Sequence, residues 1–251
     1  MLSNFDVKVL LFPDMAKKTL KKSIFFCLCP HLFVPLTPIM EKSVSFLRLC
    51  SMLLMLVCFA CGEHRTSVVL ADDEGFREGD LVLRCGYGAE SQVVTEASQS
   101  AYSHIGILHH DSLADEWMVI HAVPGEAERG EPEYVKCEPL AHFYAADRAV
   151  SGAWMRVNCA DSIAGAASRY AWSKAKAQVE FDNDYQLSDT TQLYCTELIW
   201  QAYLHQGIDL SDGHRHSVPT LVCKDGECIF PSDIAESTNI LYVKPFNTQE
   251  Q

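Results

Sequence analysis

Apolar and polar residues alternate most clearly between Tyr102 and Val123. Tyr102, His104 and Gly106 fall on one side of an extended segment, and Ser103, Ile105 and Ile107 fall on the other. Trp117 to Val123 is a second β-rich run in which Val119, His121 and Val123 share a face, and Asp111–Asp115 supplies a turn-like spacer. A hairpin symmetric about Ser112–Leu113 sets His104 opposite His121, with both rings on the same side of the sheet. Gly79 to Gly86 reads as a turn into a short first strand, and Ala89 to Ser100 as a loop or a short helix. Tyr134–Cys137 and Trp154–Val157 are further strand candidates. The period changes at Asp161–Lys176, where Ile163, Ala164, Ala167, Tyr170, Ala171 and Ala175 make one apolar helical face that Asp161 can cap. Phe181 to Thr191 is an acidic, aromatic loop, followed by a helix from about Cys195 to Gln206 that stops at Gly207. The chain shows no internal repeat and one domain, predicted over residues 76–251.

The N-terminal quarter follows other rules. Lys42 and Arg48 precede an apolar run from Leu49 to Ala60, a length that suits a signal peptide and falls short of a membrane span of ~20 residues. The run ends in Cys61-Gly62-Glu63, which resembles a bacterial lipoprotein processing site with Cys61 as the lipidated residue. A cleaved secretory signal and an uncleaved anchor are the alternatives. Residues 40–61 are thus read as a signal peptide, residues 62–75 as a polar tether, and residues 1–39 as a stretch upstream of a natural start at Met40 or a disordered segment. Pro30, Pro35 and Pro38 break the second apolar run in that stretch and argue against a helix. The location implied is a bacterial cell envelope, with the body facing the periplasm or outer surface and held to the membrane by a lipid.

Charge and cysteine count sharpen this picture. The 251 residues, 48% of them hydrophobic, suffice for one ordinary core once a leader is set aside. The formal net charge of -13 divides unevenly, since residues 62–251 carry 13 Lys/Arg against 30 Asp/Glu. So acidic a body is poorly suited to phosphate backbones, which excludes nucleic acid as a partner. Six cysteines lie beyond the leader: Cys85, Cys137, Cys159, Cys195, Cys223 and Cys228. Cys223 to Cys228 reads as a hairpin with an Asp225-Gly226 turn, open to a cross-strand disulfide. His214 and His216 are close in sequence, but their spacing matches no structural zinc pattern, and no metal or cofactor is called for.

Cys195 is the residue on which function turns. It opens its helix, where unpaired N–H groups and the helix dipole can stabilise a thiolate, and its own N–H can donate to a developing oxyanion. Buried cysteines are commonly core filler, and a histidine such as His121 commonly bonds a carbonyl. A histidine strand followed by a helix-opening cysteine favours the catalytic reading: nucleophile, base and orienter.

Gly79-Asp80-Leu81-Val82, Ser103-His104-Ile105-Gly106-Ile107, Val119-Ile120-His121-Ala122, Phe181-Asp182-Asn183-Asp184-Tyr185 and Tyr194-Cys195-Thr196-Glu197-Leu198-Ile199-Trp200, with the late Phe230-Pro231-Ser232-Asp233-Ile234, resemble the YiiX/YaeF group. These are circularly permuted relatives of NlpC-type, papain-like amidases. The resemblance implies an α+β fold in which a small antiparallel sheet or barrel packs on the helix bearing the catalytic cysteine. It implies Cys195 as nucleophile, His104 as base and then acid, and His121 as third polar residue, with Tyr194, Glu197, Tyr102 and Asp80 binding substrate or supporting the site. The reaction implied is cleavage of an amide in a cell-wall peptide or N-acyl amino acid through an acyl-enzyme. A lipid-directed acyltransferase or thioesterase with the same triad, and a non-catalytic surface-anchored binding domain, are the competing functions.

Overall fold

The computed structural model describes residues 67–72, 74–126, 132–218 and 223–250. The expected leader, the start at Met40 and the lipidation at Cys61 all lie outside the described residues. Among the described residues, no helix is long and apolar enough to cross a membrane.

A six-stranded antiparallel sheet runs in the order β5 (Lys136–Pro139), β4 (Glu116–His121), β3 (His104–Asp111), β2 (Leu81–Cys85), β6 (Ser151–Val157), β9 (Ile240–Pro245). Its two edge strands do not pair with each other, so the fold is α+β with an open sheet and not a barrel. Leu81, Leu83, Ile105, Ile107, Ile120 and Met155 point to one face and pack beneath α3 (Asp161–Lys176) and α4 (Cys195–Leu204). Val82, Leu108, Val119 and Trp154 point to the other, beneath α2 (Leu140–Phe143), Phe143, Tyr144 and Phe246. Apolar residues on both faces of one strand reflect a sheet buried on both sides.

The helices follow their apolar periodicity. The helix α3 matches the predicted span, but its N-cap is Ala160, and Asp161 sits in the first turn instead, where its charge still suits the dipole. Within Ala89–Ser100, α1 (Ala89–Ser98) forms but buries none of its residues. The helix α4 begins at Cys195 as predicted, and Gly207 follows its end at φ +83, a conformation that glycine adopts freely.

Two expectations are corrected. Residues 67–70 of the expected tether form β1 (Ser67–Leu70), which pairs antiparallel with β10 (Asn247–Glu250); the β-branched Val68 and Val69 suit a strand. The expected Cys223–Cys228 hairpin is displaced. A turn closes from Gly226 N to Cys223 O at 2.9 Å, centred on Lys224-Asp225, and β8 (Glu227–Cys228) pairs with β7 (His216–Ser217). Cys223 and Cys228 are therefore not cross-strand partners, and all six described cysteines are free thiols. His216 bonds Asp233 at 2.6 Å, near the start of α5 (Pro231–Ala235).

Candidate active site

The β3–β4 hairpin closes on Asp111↔Glu116, so its centre lies between Leu113 and Ala114, one residue later than a turn symmetric about Ser112–Leu113. That moves each partner by two residues. His121 then sits across from Gly106, and His104 lies on the diagonal, on the same face. Gly106 is what lets the rings approach: a Cβ there would come 2.4 Å from Val119 Cγ1 and 3.3 Å from His121 Cβ.

The two imidazoles meet at 2.8 Å through His104 Nε2 and His121 Nδ1, with rings edge to face. His121 Nε2 lies 2.9 Å from Glu138 Oε1, and Glu138 is held by Arg148 at 3.0 Å. Burial, followed by the charge of Arg84, holds both imidazoles well below their usual range, so both are neutral near pH 7. Neutrality assigns the protons. Glu138 only accepts, so His121 carries its proton on Nε2 and presents a lone pair at Nδ1; His104 then donates from Nε2 and keeps a bare lone pair on Nδ1.

Behind this pair lies a charged cluster. Arg84, 3% exposed, donates to Phe143 O at 2.8 Å, stacks over the Phe143 ring and pairs with Glu126. Lys136 and Arg148 bind both Glu126 and Glu138. None of Arg84, Glu126, Glu138 or Arg148 is singled out by the sequence reading. The only signal for Glu138 is its alternation with Lys136 in a short strand whose pairing is long-range.

Cys195 occupies the first residue of α4, which packs on the Ile105 face of the sheet, and its sulfur makes no hydrogen bond to His104; its side-chain partner is the Thr196 hydroxyl at 3.7 Å. It reaches the backbone of β3 between the two faces: the amide of Ile105, next to His104, turns toward Sγ together with those of Thr196 and Cys195 itself. Part of its surface opens on a cavity of about 160 Å³. Burial nevertheless outweighs these donors and the Thr196 hydroxyl, and pushes the thiol up. The stabilisation expected from the helix terminus is present but outweighed, because desolvation of sulfur exceeds what its few donors supply.

The remaining predicted residues divide by position. Tyr194 lines the cavity, and its hydroxyl accepts from Ile229 N at 3.1 Å. Tyr102 is half-buried against the core. Asp80 accepts from Trp154 Nε1 at 3.0 Å and Arg156 Nε at 2.8 Å, and so ties β2 to β6 away from the sulfur. Glu197 is wholly buried. Its Oε1 accepts from Gln201 Nε2 at 2.8 Å, and Oε2 is the only buried side-chain nitrogen or oxygen without a partner among the described residues.

Burial, with the nearby Asp182 charge, pushes the Glu197 carboxyl up to about 8. A carboxyl raised in the fold contributes stability that is complete below its unfolded value of 4.5 and is lost as pH rises through about 8. The buried imidazoles act oppositely, their contribution being present above about 6.5 and lost as pH falls. Glu197→Gln is expected to gain on the wild type steadily between about pH 5 and 8, read as the urea midpoint. Parallel curves would show that the carboxyl is already ionised in the fold.

A model of permuted papain-like amidase enzymes, the YaeF/YiiX or C92 family, matches residues 76–240. Among curated proteins, none matches. Among solved structures, the crystal structure of the metalloprotein yiiX from Escherichia coli O157:H7 superposes with a TM-score of 0.52 at 17% identity, over 70% of this chain and 97% of that one. At that identity the likeness is one of fold.

That neighbour is a metalloprotein, and one group of donors in this chain lies close enough together to compare with a metal site. His121, Glu126 and Glu138 can present ligand atoms within 4.8 Å of one another. Both carboxylates are already engaged by Arg84, Lys136 and Arg148, and His121 Nε2 is bonded to Glu138. Three cations against two carboxylates leave the place positive before a metal arrives, so these residues do not fit a divalent cation and no step is routed through one. The family match spans more than half of the chain and both heptads around His104 and Cys195. This chain belongs to the permuted papain-like amidases of the YaeF/YiiX family, and is an amidase-type hydrolase by class.

Proposed function

We propose that the chain cleaves an amide through a covalent acyl-enzyme on Cys195. His104 Nδ1 takes the thiol proton as sulfur attacks the carbonyl carbon, and the N–H of Cys195 donates to the oxyanion. Collapse breaks the C–N bond, and His104 returns the proton to the departing amine, leaving a thioester. Water, deprotonated by the same nitrogen, then releases the acid and restores the thiol. His121 and Glu138 hold the tautomer that leaves Nδ1 bare, and they support the imidazolium formed in passing. Thiolate and imidazolium arise during the reaction, in keeping with a raised thiol and lowered imidazoles.

The observation that carries this reading is the hydrogen-bonded run from His104 through His121 to Glu138, beside the strand amide that faces Sγ. Cell-wall peptides and N-acyl amino acids are the substrates compatible with the envelope location proposed from residues 40–61. The test is alkylation of Cys195 by iodoacetamide, followed by peptide mass. His104→Ala is expected to slow labelling about tenfold or more near neutral pH. Equal rates would remove His104 as the base and favour a binding domain.

A further inference from the structure

Arg84 is a buried cation that takes no part in the bond changes at Cys195. It stands directly across from His104 in the β2–β3 pairing, so both side chains leave the sheet on one face. Its guanidinium lies 4.5 Å from the centre of the Phe143 ring, which lies 5.7 Å from His104 and 5.0 Å from His121. One aromatic ring thus touches the cation and both imidazoles. The other charges around the pair come from β5 (Lys136 and Glu138), from Glu126 after β4 and from Arg148 after α2. Tyr102, Tyr144 and the Cys195 thiol are raised by burial and stay neutral. Three cations against two carboxylates leave a positive field. Arg84 is 3% exposed, against 27% for Lys136 and 30% for Arg148, so water screens it least.

Such a field makes an added proton on either imidazole costly, and after burial the Arg84 charge is the largest reason why His104 resists one. The neutral ring is then a weaker base, and the imidazolium a stronger acid. The second property decides which acyl derivative reacts: an aliphatic amine leaves only with a proton, whereas a phenolate or thiolate leaves without one. We propose that Arg84 is a positioning residue that acts through His104 and selects amides of basic aliphatic amines over esters and thioesters. As the oxyanion re-forms the carbonyl, the C–N electron pair passes to nitrogen, which takes the proton from His104 Nδ1. The thioester stays on Sγ. This rests on Cys195 as nucleophile and His104 as acid.

The test compares wild type with Arg84→Gln, which removes the charge and keeps a donor for Phe143 O, and with Arg84→Lys, which keeps the charge. Histidine ring nitrogen shifts followed against pH read His104 without turnover, its signal being assigned by loss in His104→Ala. The midpoint is expected to rise by about one pH unit or more in Arg84→Gln and to hold in Arg84→Lys. The acid limb of kcat/KM rises with it, since the base must be neutral. N-acetylglycine and p-nitrophenyl acetate share one acyl group. Their amide-to-ester ratio of kcat/KM is expected to fall about threefold for each unit of that rise. Glu126→Gln removes an offsetting carboxylate and is expected to move both readouts the other way, so it carries the test if Arg84→Gln does not fold. A His104 midpoint unmoved in both neutral variants would overturn the role of Arg84 and leave His104 standing as base. A midpoint that moves while the ratio holds would overturn the proposal by removing His104 as the acid. Should neither substrate turn over, the midpoint alone supports or overturns it.

Discussion

Replacing Cys195 with alanine is expected to lower kcat/KM for amide hydrolysis by about 10⁴ or more, with little change in melting temperature. In the proposed mechanism the acyl-enzyme forms on this sulfur, and neither His104 nor the oxyanion donors can replace it. Structure is spared for a physical reason: Sγ already borders a cavity, so its removal enlarges an existing space instead of opening a new one in the packed core. Cys195→Ser is expected to fall nearly as far. Burial that raises a thiol raises a hydroxyl from a much higher starting point, beyond what a neutral imidazole can deprotonate usefully. A Cys195→Ala protein that keeps a tenth of wild-type activity would end the covalent reading.

The largest expected loss of stability is at Gly79. Its φ is +86, and an added Cβ would stand 2.3 Å from the carbonyl oxygen of Ala164, on the backbone of α3. Backbone strain and overpacking together should cost about 3–5 kcal/mol in Gly79→Ala, read from the urea midpoint. The position matters beyond its own packing. Gly79 N donates to Leu108 O at 3.0 Å, and Gly79 O accepts from the Tyr203 hydroxyl at 2.6 Å. One residue therefore joins β3, α3 and α4, and its displacement would shift the helix that carries Cys195. A loss below about 1 kcal/mol would show that α3 can retreat freely.

Much of the site was legible because strand geometry has a period of two. The hairpin turn lies one residue later than its symmetry implies, yet such a shift moves partners by two and keeps every side chain on its face. His104 and His121 consequently still meet, on a diagonal. Cys195 at a helix start was legible from the break between the acidic loop and the apolar run Leu198-Ile199. Glu138 was not, because its contact with His121 depends on β5 pairing with β4 across a long connection. Nor was Arg84, whose burial under Phe143 is set by α2 packing on the sheet. The raised thiol of Cys195 was not legible for the same kind of reason. Local signals place donors around a sulfur, while desolvation depends on everything else that folds over it. The turn near Asp225 shows the limit in miniature, since starting it one residue earlier unpairs two cysteines that composition alone would have joined.

Ser67 and Glu250 stand side by side where β1 meets β10, so both ends of the body emerge at one spot. A short linker between those two positions would close the polypeptide into a ring without disturbing any strand of the main sheet. Reopening that ring at the exposed turn around Asp189 would give a chain in which the cysteine helix comes first and the histidine hairpin later. Gene order and spatial order are thereby independent in this architecture, and a reordered variant should assemble the same three-dimensional neighbours.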